Sequence, residues 1–297
     1  MDTDIVRLNI LGICYALITA ILVAGADAFS KKAAARQSVY LISFSRWVFA
    51  LPVLALLTSQ AEAPRGLGWE VFLYLLILMP LEILAMILYI KAISRYDLSM
   101  TVPLLSLTPL FLLVTGSVFL GETIKPSGIA GVFVVLTGIY IMNITSLEEG
   151  LLAPFRAVLS NRGAVLVIIV AIIYTITSTL GKKVVLLTGS AFFSFWYLLL
   201  LAIGIIPVIY LKGESPLHVF KNFKINLLIG TLIGLGSYCQ FAAYTFAPIA
   251  YVIAVKRTSI IFSVLLGRLV FQEAAFGKRT FGALLAFIGV VMMTWEP

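Results

Sequence analysis

Long apolar stretches alternate with short polar ones along the whole chain. The apolar stretches hold about 20 residues each, which is the length that an α-helix needs to cross a hydrocarbon core of roughly 30 Å. A membrane-spanning strand is much shorter than these stretches. A helix also pairs its backbone groups within one segment, as a bilayer requires. The pattern therefore predicts ten transmembrane helices, over residues 9–30, 38–58, 69–91, 98–120, 126–144, 163–182, 190–211, 225–246, 248–271 and 278–295.

The composition identifies the solvent of this chain. Hydrophobic residues make up 62% of the 297 positions, charged residues make up 11%, and the mean hydropathy is +1.11. Such a chain cannot cover a water-soluble surface, so we predict an all-α, multi-pass protein of the cell membrane with the lipid bilayer as a partner. The net charge of +8 is explained by loop cations beside anionic headgroups, and it requires no nucleic acid.

Few residues offer metal or redox chemistry. Cys14 and Cys239 lie inside predicted spans, where a thiol packs as a small apolar group, and His218 lies in a polar loop. The sequence shows no metal-ligand pattern and no nucleophile with a base. We therefore expect no metal, no cofactor and no enzymatic activity.

The sequence repeats itself at a shift of 151 residues, the separation of Glu122 and Glu273. With no gap, this shift superposes two Lys-Lys pairs, Lys31-Lys32 on Lys182-Lys183, and it superposes three glycines, Gly116, Gly131 and Gly138, on Gly267, Gly282 and Gly289. Each half, 1–150 and 151–297, then contains five spans. Because five is odd, the second half enters the membrane from the opposite side, which predicts two inverted five-helix repeats. Such repeats provide two equivalent packings, one open to each side, as alternating access requires.

Two adjacent cations, Lys256 and Arg257, interrupt the predicted ninth span. A cation at a helix centre costs about 2.5 to 3.5 kcal/mol, so the pair needs compensation. One interpretation is an anion clamp, since a guanidinium fork and an ammonium together suit a phosphate or a carboxylate. The alternative is an internal ion pair with Glu82 or Asp27, the acidic residues inside other spans.

Further polar residues could complete a ligand site. Gln240 and Tyr244 lie one helical turn apart, and Tyr89 lies in the third span. Arg46 could bind substrate at the entrance or pair with Asp27 or Glu82. Glu82 could also carry a proton in a coupled transport cycle. Other tyrosines in the spans could contribute: Tyr174, Tyr238 and Tyr251.

Acidic residues and glycines at the ends of the fourth and ninth spans indicate packing functions. Glu122 and Glu273 are expected to cap the N-terminus of the helix that follows each of them. The glycines after Glu122 should allow close helix crossing.

These features resemble the EamA branch of the drug/metabolite transporter superfamily over nearly the whole chain. The resemblance lies in the five-plus-five plan and in the series Pro109, Glu122, Gly128, Gly131 and Gly138. It implies a ten-helix basket with a central cavity, which carries amino acids, nucleotide precursors, sugars or phosphorylated metabolites.

The segment "VIAVKRTSIIFSVLLG" is also similar to the ninth helix of plastid triose-phosphate transporters, where a Lys-Arg pair grips the substrate phosphate. By that resemblance Lys256 and Arg257 would bind phosphate here. Those transporters place another lysine in a helix ending in Glu-Pro, whereas this chain has Leu105 and Thr108-Pro109. Exchange of triose phosphate is therefore not expected, although an anionic ligand is.

We thus predict a secondary transporter of small anionic metabolites, phosphorylated ones included, that acts as a monomer or homodimer. The alternatives are an exporter of amino acids or other zwitterions, a lipid translocase and, least favoured, an intramembrane enzyme on lipid phosphates.

The distribution of basic residues and the family resemblance predict opposite orientations in the membrane. Twelve lie in loops after odd-numbered spans, which by the positive-inside rule puts both termini outside the cell: Lys31, Lys32, Arg36, Lys91, Arg95, Arg156, Arg162, Lys212, Lys221, Lys224, Lys278 and Arg279. Five lie on the other side, Arg7, Arg65, Lys125, Lys182 and Lys183.

Overall fold

Helices form all of the regular secondary structure in the part of the chain that our computed structural model describes, residues 2–59, 66–95, 107–143, 162–259 and 277–294 with a few isolated positions between them. In chain order they are α1 (Asp2–Ala33), α2 (Val39–Val48), α3 (Leu51–Leu57), α4 (Trp69–Arg95), α5 (Leu107–Leu120), α6 (Pro126–Asn143), α7 (Arg162–Thr188), α8 (Ser190–Leu211), a 3₁₀ helix (Pro216–Asn222), α9 (Phe223–Phe246), α10 (Ile249–Arg257) and α11 (Gly277–Thr294).

Six helical segments within these ranges are long and apolar enough to cross a membrane. One of them, Val39–Thr58, contains both α2 and α3, which are separated by a turn at Phe49 and Ala50, just before Pro52. Three further apolar helices are shorter: Leu107–Leu120, Pro126–Ile141 and Leu284–Met293. The predicted span 248–271 is represented by α10 and a few following residues, so ten crossings stay a prediction.

The outer surface carries many large apolar side chains. Leu56, Trp69, Leu76 and Leu211 each expose more than two thirds of their surface. A soluble protein rarely exposes so much apolar area, and lipid is the solvent that suits it. The helices therefore meet a bilayer with their outer faces and keep their polar groups between them.

Helix pairs that the sequence repeat relates to each other pack in the same way. The repeat relates α1 to α7 and α4 to α9, and it relates the fourth predicted span, which contains α5, to the ninth, which contains α10. In the structure α1 packs on α9, as α7 packs on α4. Likewise α5 packs on α7, as α10 packs on α1. The two halves thus interlock through equivalent contacts.

The last helices of the two halves, α6 and α11, cross at glycines, as the sequence predicts. A Cβ atom on Gly131 would lie 2.7 Å from the Gly289 carbonyl oxygen, and a Cβ on Gly289 would lie 2.6 Å from that of Gly131. Seven residues on, Gly138 meets the carbonyl of Gly282. Residue numbers rise along one helix as they fall along the other, so α6 and α11 are antiparallel. Glycine is needed here because any side chain would separate the backbones.

One predicted boundary is wrong. The sixth span does not end at residue 182, because α7 continues to Thr188 and ends before Gly189, whose φ is +86°. Lys182 and Lys183 therefore lie within the helix, and Lys182 is buried. Neither residue belongs in a count of loop charges.

Candidate functional site

Five charged side chains from four helices interact in the interior of the bundle. Asp27 lies on α1, Arg46 on α2, Glu82 on α4, and Lys256 and Arg257 end α10. Lys256 lies within electrostatic range of Glu82, Asp27 and Arg46, and Arg257 lies within range of Asp27. The structure thus brings together charges that are up to 230 positions apart in the sequence. We call these five residues the central charge cluster.

Lys256 is held by an amide. Its Nζ donates to Gln240 Oε1 at 2.6 Å, and Gln240 Nε2 in turn donates to the hydroxyl of Tyr244 at 2.7 Å. Tyr244 is 1% exposed, so it fixes the orientation of the Gln240 amide. Of the two residues predicted from their spacing on one helix face, Gln240 therefore contacts Lys256 directly and Tyr244 contacts Gln240.

Arg257 is held by a hydroxyl and an aromatic ring. Its Nη2 donates to Thr108 Oγ1 at 3.2 Å, and its guanidinium carbon lies 5.8 Å from the ring centre of Tyr174. Its Nε is buried and has no hydrogen-bond partner among the residues that the structure describes. An unpaired buried donor is costly, so this guanidinium can still donate to an oxygen atom of a ligand.

Arg46 is not a free ligand-binding cation. Its Nη1 donates to Asp27 Oδ1 at 2.8 Å and to Ser30 Oγ at 2.9 Å, and the side chain is 3% exposed. Tyr89 donates to the other oxygen of Asp27 at 2.7 Å. Of the partners predicted for Arg46, Asp27 and Glu82, the structure pairs it with Asp27. Tyr89 likewise supports this pair, although its ring lies 6.4 Å from that of Tyr174.

Glu82 lies close to the cations but makes no ion pair with them. Its carboxyl group lies near the Thr177 side chain, and it interacts with Lys256 at longer range. Within the described ranges, ion pairs shorter than 4.0 Å are those of Arg46 with Asp27 and of Lys182 with Glu122. The alternative of a direct pair from Lys256 to Glu82 or Asp27 is thus not what the structure contains. The central charge cluster holds three cations and two carboxylates, an excess of one positive charge.

The cation pair lies where the predicted ninth helix is interrupted. Lys256 and Arg257 form the last turn of α10, the chain turns at Thr258, and Ser259 is helical again, whereas the sequence predicts a helix without interruption. The carbonyl end of a helix favours positive charge. The carbonyl groups of this last turn therefore offset part of the cost of two half-buried cations.

A second buried ion pair lies at the end of the molecule where α1 begins. Lys182 Nζ donates to Glu122 Oε1 at 2.6 Å and to the Ala247 carbonyl at 2.7 Å. Both Glu122 oxygens accept from the Ile249 N–H, each at 3.1 Å. Glu122 therefore caps α10, in the other half, rather than the following helix α6. Glu273, its counterpart in the repeat, lies outside the described residues.

Several of these residues escaped prediction. Thr108 and Thr177 carry no charge and give little signal in an apolar helix, although Thr108 precedes the conspicuous Pro109. Lys182 was hidden by its assignment to a loop. Tyr251, a predicted candidate, is fully buried and directs its hydroxyl towards Gly128, where a Cβ would overlap it.

Comparison with known proteins identifies the relatives of this chain. The model of the EamA-like transporter family matches residues 10–144 and 161–295. Twenty-nine chains of solved structures match. One, described only as the crystal structure of a protein, has a TM-score of 0.74 and 14% identity, with 97% of this chain and 98% of that chain covered. At this identity the likeness shows the fold alone. No curated protein matches the chain.

Proposed function

The chain belongs to the EamA-like transporter family, so it is an integral membrane protein that transports small molecules, and we propose that its substrates are small anionic metabolites, phosphorylated ones included. We further propose that it works by alternating access in the cell membrane. The similarity to triose-phosphate transporters rests on the Lys-Arg segment alone.

The observation that carries this proposal is the set of neutral partners around the cation pair. Gln240 and Thr108 hold Lys256 and Arg257 in place without neutralising them. Uncharged partners pre-organise a cation and leave its charge for a ligand. An internal ion pair would instead have a carboxylate at hydrogen-bond distance.

The chemistry of the two cations favours a phosphate or carboxylate. A guanidinium offers donors in a planar fork, and an ammonium adds a compact charge beside it. Arg257 donates from one nitrogen to Thr108, and its Nε has no partner in the described part of the chain, so its fork is only partly used there. A bound anion would also cancel the excess positive charge of the central charge cluster.

Alternating access is supported by the packing of the two halves. Equivalent helix pairs and the reciprocal glycine crossing fit an inverted repeat, whose two halves can exchange conformations. The predicted ligand site then lies where α5, α7, α9 and α10 meet, helices that come from both halves.

Counterflow into liposomes tests the proposal. Purified protein is reconstituted with trapped inorganic phosphate or phosphorylated metabolites, and uptake of labelled anion is measured. Lys256→Gln and Arg257→Gln should each lower uptake about tenfold or more. Lys183→Gln is the matched control, because this lysine lies over the ring of Tyr74 and outside the cluster. Normal transport by both cation variants would refute the anion site. Chemical conversion of the anion would favour the alternative of an enzyme.

A zwitterionic substrate is the second candidate, favoured by the carboxylates in the same cluster. Glu82 lies within electrostatic range of Lys256, so an amino group and a carboxylate could be bound at one site. The same assay with amino acids separates the candidates. Glu82→Gln should abolish transport of a zwitterion and preserve uptake of a simple anion.

A further inference from the structure

We propose that Glu122 and Lys182 form a gate at the end of the molecule where α1 begins, and that their separation releases the start of α10 during transport. This inference rests on the proposed alternating-access function. We call the contact of Glu122 with Lys182 and Ile249 the Glu122–Lys182 latch.

The latch joins the two halves of the chain. Glu122 follows α5 in the first half, whereas Lys182 and Ile249 belong to the second half. The side chains of Lys182 and Glu122 are 8% and 11% exposed. Three different helices, α5, α7 and α10, are therefore tied at one point by a charge pair that water hardly reaches.

The surroundings of the latch are closed. Gly12 on α1 packs so tightly on Ala247 that a Cβ there would lie 2.6 Å from the Ala247 Cβ. The rings of Tyr15 and Phe246 stack at 6.0 Å. Ile249 is fully buried. Solvent could enter between the halves at this end only after these contacts separate.

The latch also connects to the cation pair. Ile249 is the first residue of α10, and the same helix ends with Lys256 and Arg257 two turns later. Loss of the Glu122 carboxylate would leave the Ile249 N–H without its acceptor and remove the tie at the start of the helix. Movement at the latch is thereby transmitted along nine residues to the proposed ligand site.

The residue that the sequence repeat relates to Lys182 lies in a different environment. The shift that relates the halves places Lys31 at the position of Lys182. Lys31 lies in the last turn of α1, at the opposite end of the molecule, and is exposed. The two equivalent lysines thus have unequal environments. This difference is expected when the gate at one end of the molecule is closed and the gate at the other end is open.

Labelling with a membrane-impermeant maleimide tests the gate. In protein with Cys14→Ala and Cys239→Ala, Ile249→Cys supplies one thiol at the latch. It should react slowly when the latch is intact. Lys182→Gln should increase the rate about tenfold or more. Glu122→Gln, which keeps an oxygen for the Ile249 N–H, should increase it by a smaller factor. Lys183→Gln should leave the rate unchanged, and thermal unfolding midpoints report that each variant is folded.

The outcomes are separable from those of the transport assay, because labelling needs no substrate. A folded Lys182→Gln variant with the parental labelling rate would overturn the gate. An equal increase in Lys183→Gln would do so as well, since it would indicate general loosening. If labelling changes as expected but no anion is transported, the proposed substrate fails and the gate stands.

Discussion

At the scale of single residues, the adjacent cations Lys256 and Arg257 have different environments. One is held by the Gln240 amide, and the other by the Thr108 hydroxyl and the Tyr174 ring. Because neighbours on a helix point about 100° apart, they can bind different atoms of one ligand. A compact ammonium and a planar guanidinium are not interchangeable in such an arrangement.

Gln240→Glu should weaken anion binding without disrupting the fold. The nearly isosteric change places a carboxylate on the atom that Lys256 contacts at 2.6 Å, so the lysine is neutralised internally. We expect about a tenfold loss of affinity, which corresponds to about 1.4 kcal/mol, measured as the concentration for half-maximal counterflow. Tyr244→Phe is the neutral control and should change affinity by less. Unaltered affinity in Gln240→Glu would contradict the anion site.

Arg46 should matter for stability first. Arg46→Met leaves Asp27 buried with Tyr89 but without its cation, and breaking a buried pair in this way costs about 3 to 5 kcal/mol. We expect a large loss of unfolding free energy, measured by denaturant titration in detergent micelles. The double variant Arg46→Met/Asp27→Leu should recover most of it. A single variant as stable as its parent would show that the pair has no structural importance.

The sequence reveals charged site residues better than neutral ones. Lys256 and Arg257 stand out because charge is rare in an apolar stretch, and the partners Gln240 and Tyr244 follow from their one-turn spacing. Thr108 could not be found this way, because its importance depends on an arginine 149 positions away. The same holds for Glu122 and Ile249, which are 127 positions apart.

At the scale of helices, close crossing explains the glycines of the repeat. Gly131→Val should push α6 from α11, because its Cβ meets the Gly289 carbonyl at 2.7 Å. We expect a loss of about 1 to 3 kcal/mol, as for other overpacked sites, detected by thermal unfolding. Gly236→Ala on α9 is the control, since its nearest neighbour would lie 3.5 Å away. If both variants are equally stable, the crossing does not need glycine.

Helix existence is easier to predict than helix ends. The apolar stretches locate the helices, because bilayer thickness sets their length. The ends of the helices depend on tertiary contacts. For example, α7 continues through two lysines because Lys182 pairs with Glu122 and Lys183 lies over the ring of Tyr74, and α10 ends within a predicted span. Partners of this kind lie far away in the sequence.

At the scale of the whole molecule, ligand binding should stabilise the folded protein. Anything that binds the folded state alone raises its stability, by about 2.7 kcal/mol at one hundred times the dissociation constant. Inorganic phosphate should therefore raise the unfolding midpoint of the parent protein. The Lys256→Gln/Arg257→Gln double variant should show no such increase. Equal stabilisation of both proteins would place the anion elsewhere.

The repeat is symmetric in its helices but not in its charges. The shift that superposes the halves places Lys256 on Leu105, so the cation pair belongs to the second half alone. Under the proposed mechanism, the empty carrier moves an excess positive charge when it changes conformation, whereas a bound monovalent anion cancels it. The free energy of a full charge changes by about 2.3 kcal/mol when it crosses a membrane potential of 100 mV. The membrane potential would then bias the return of the empty carrier and leave the loaded step almost unaffected.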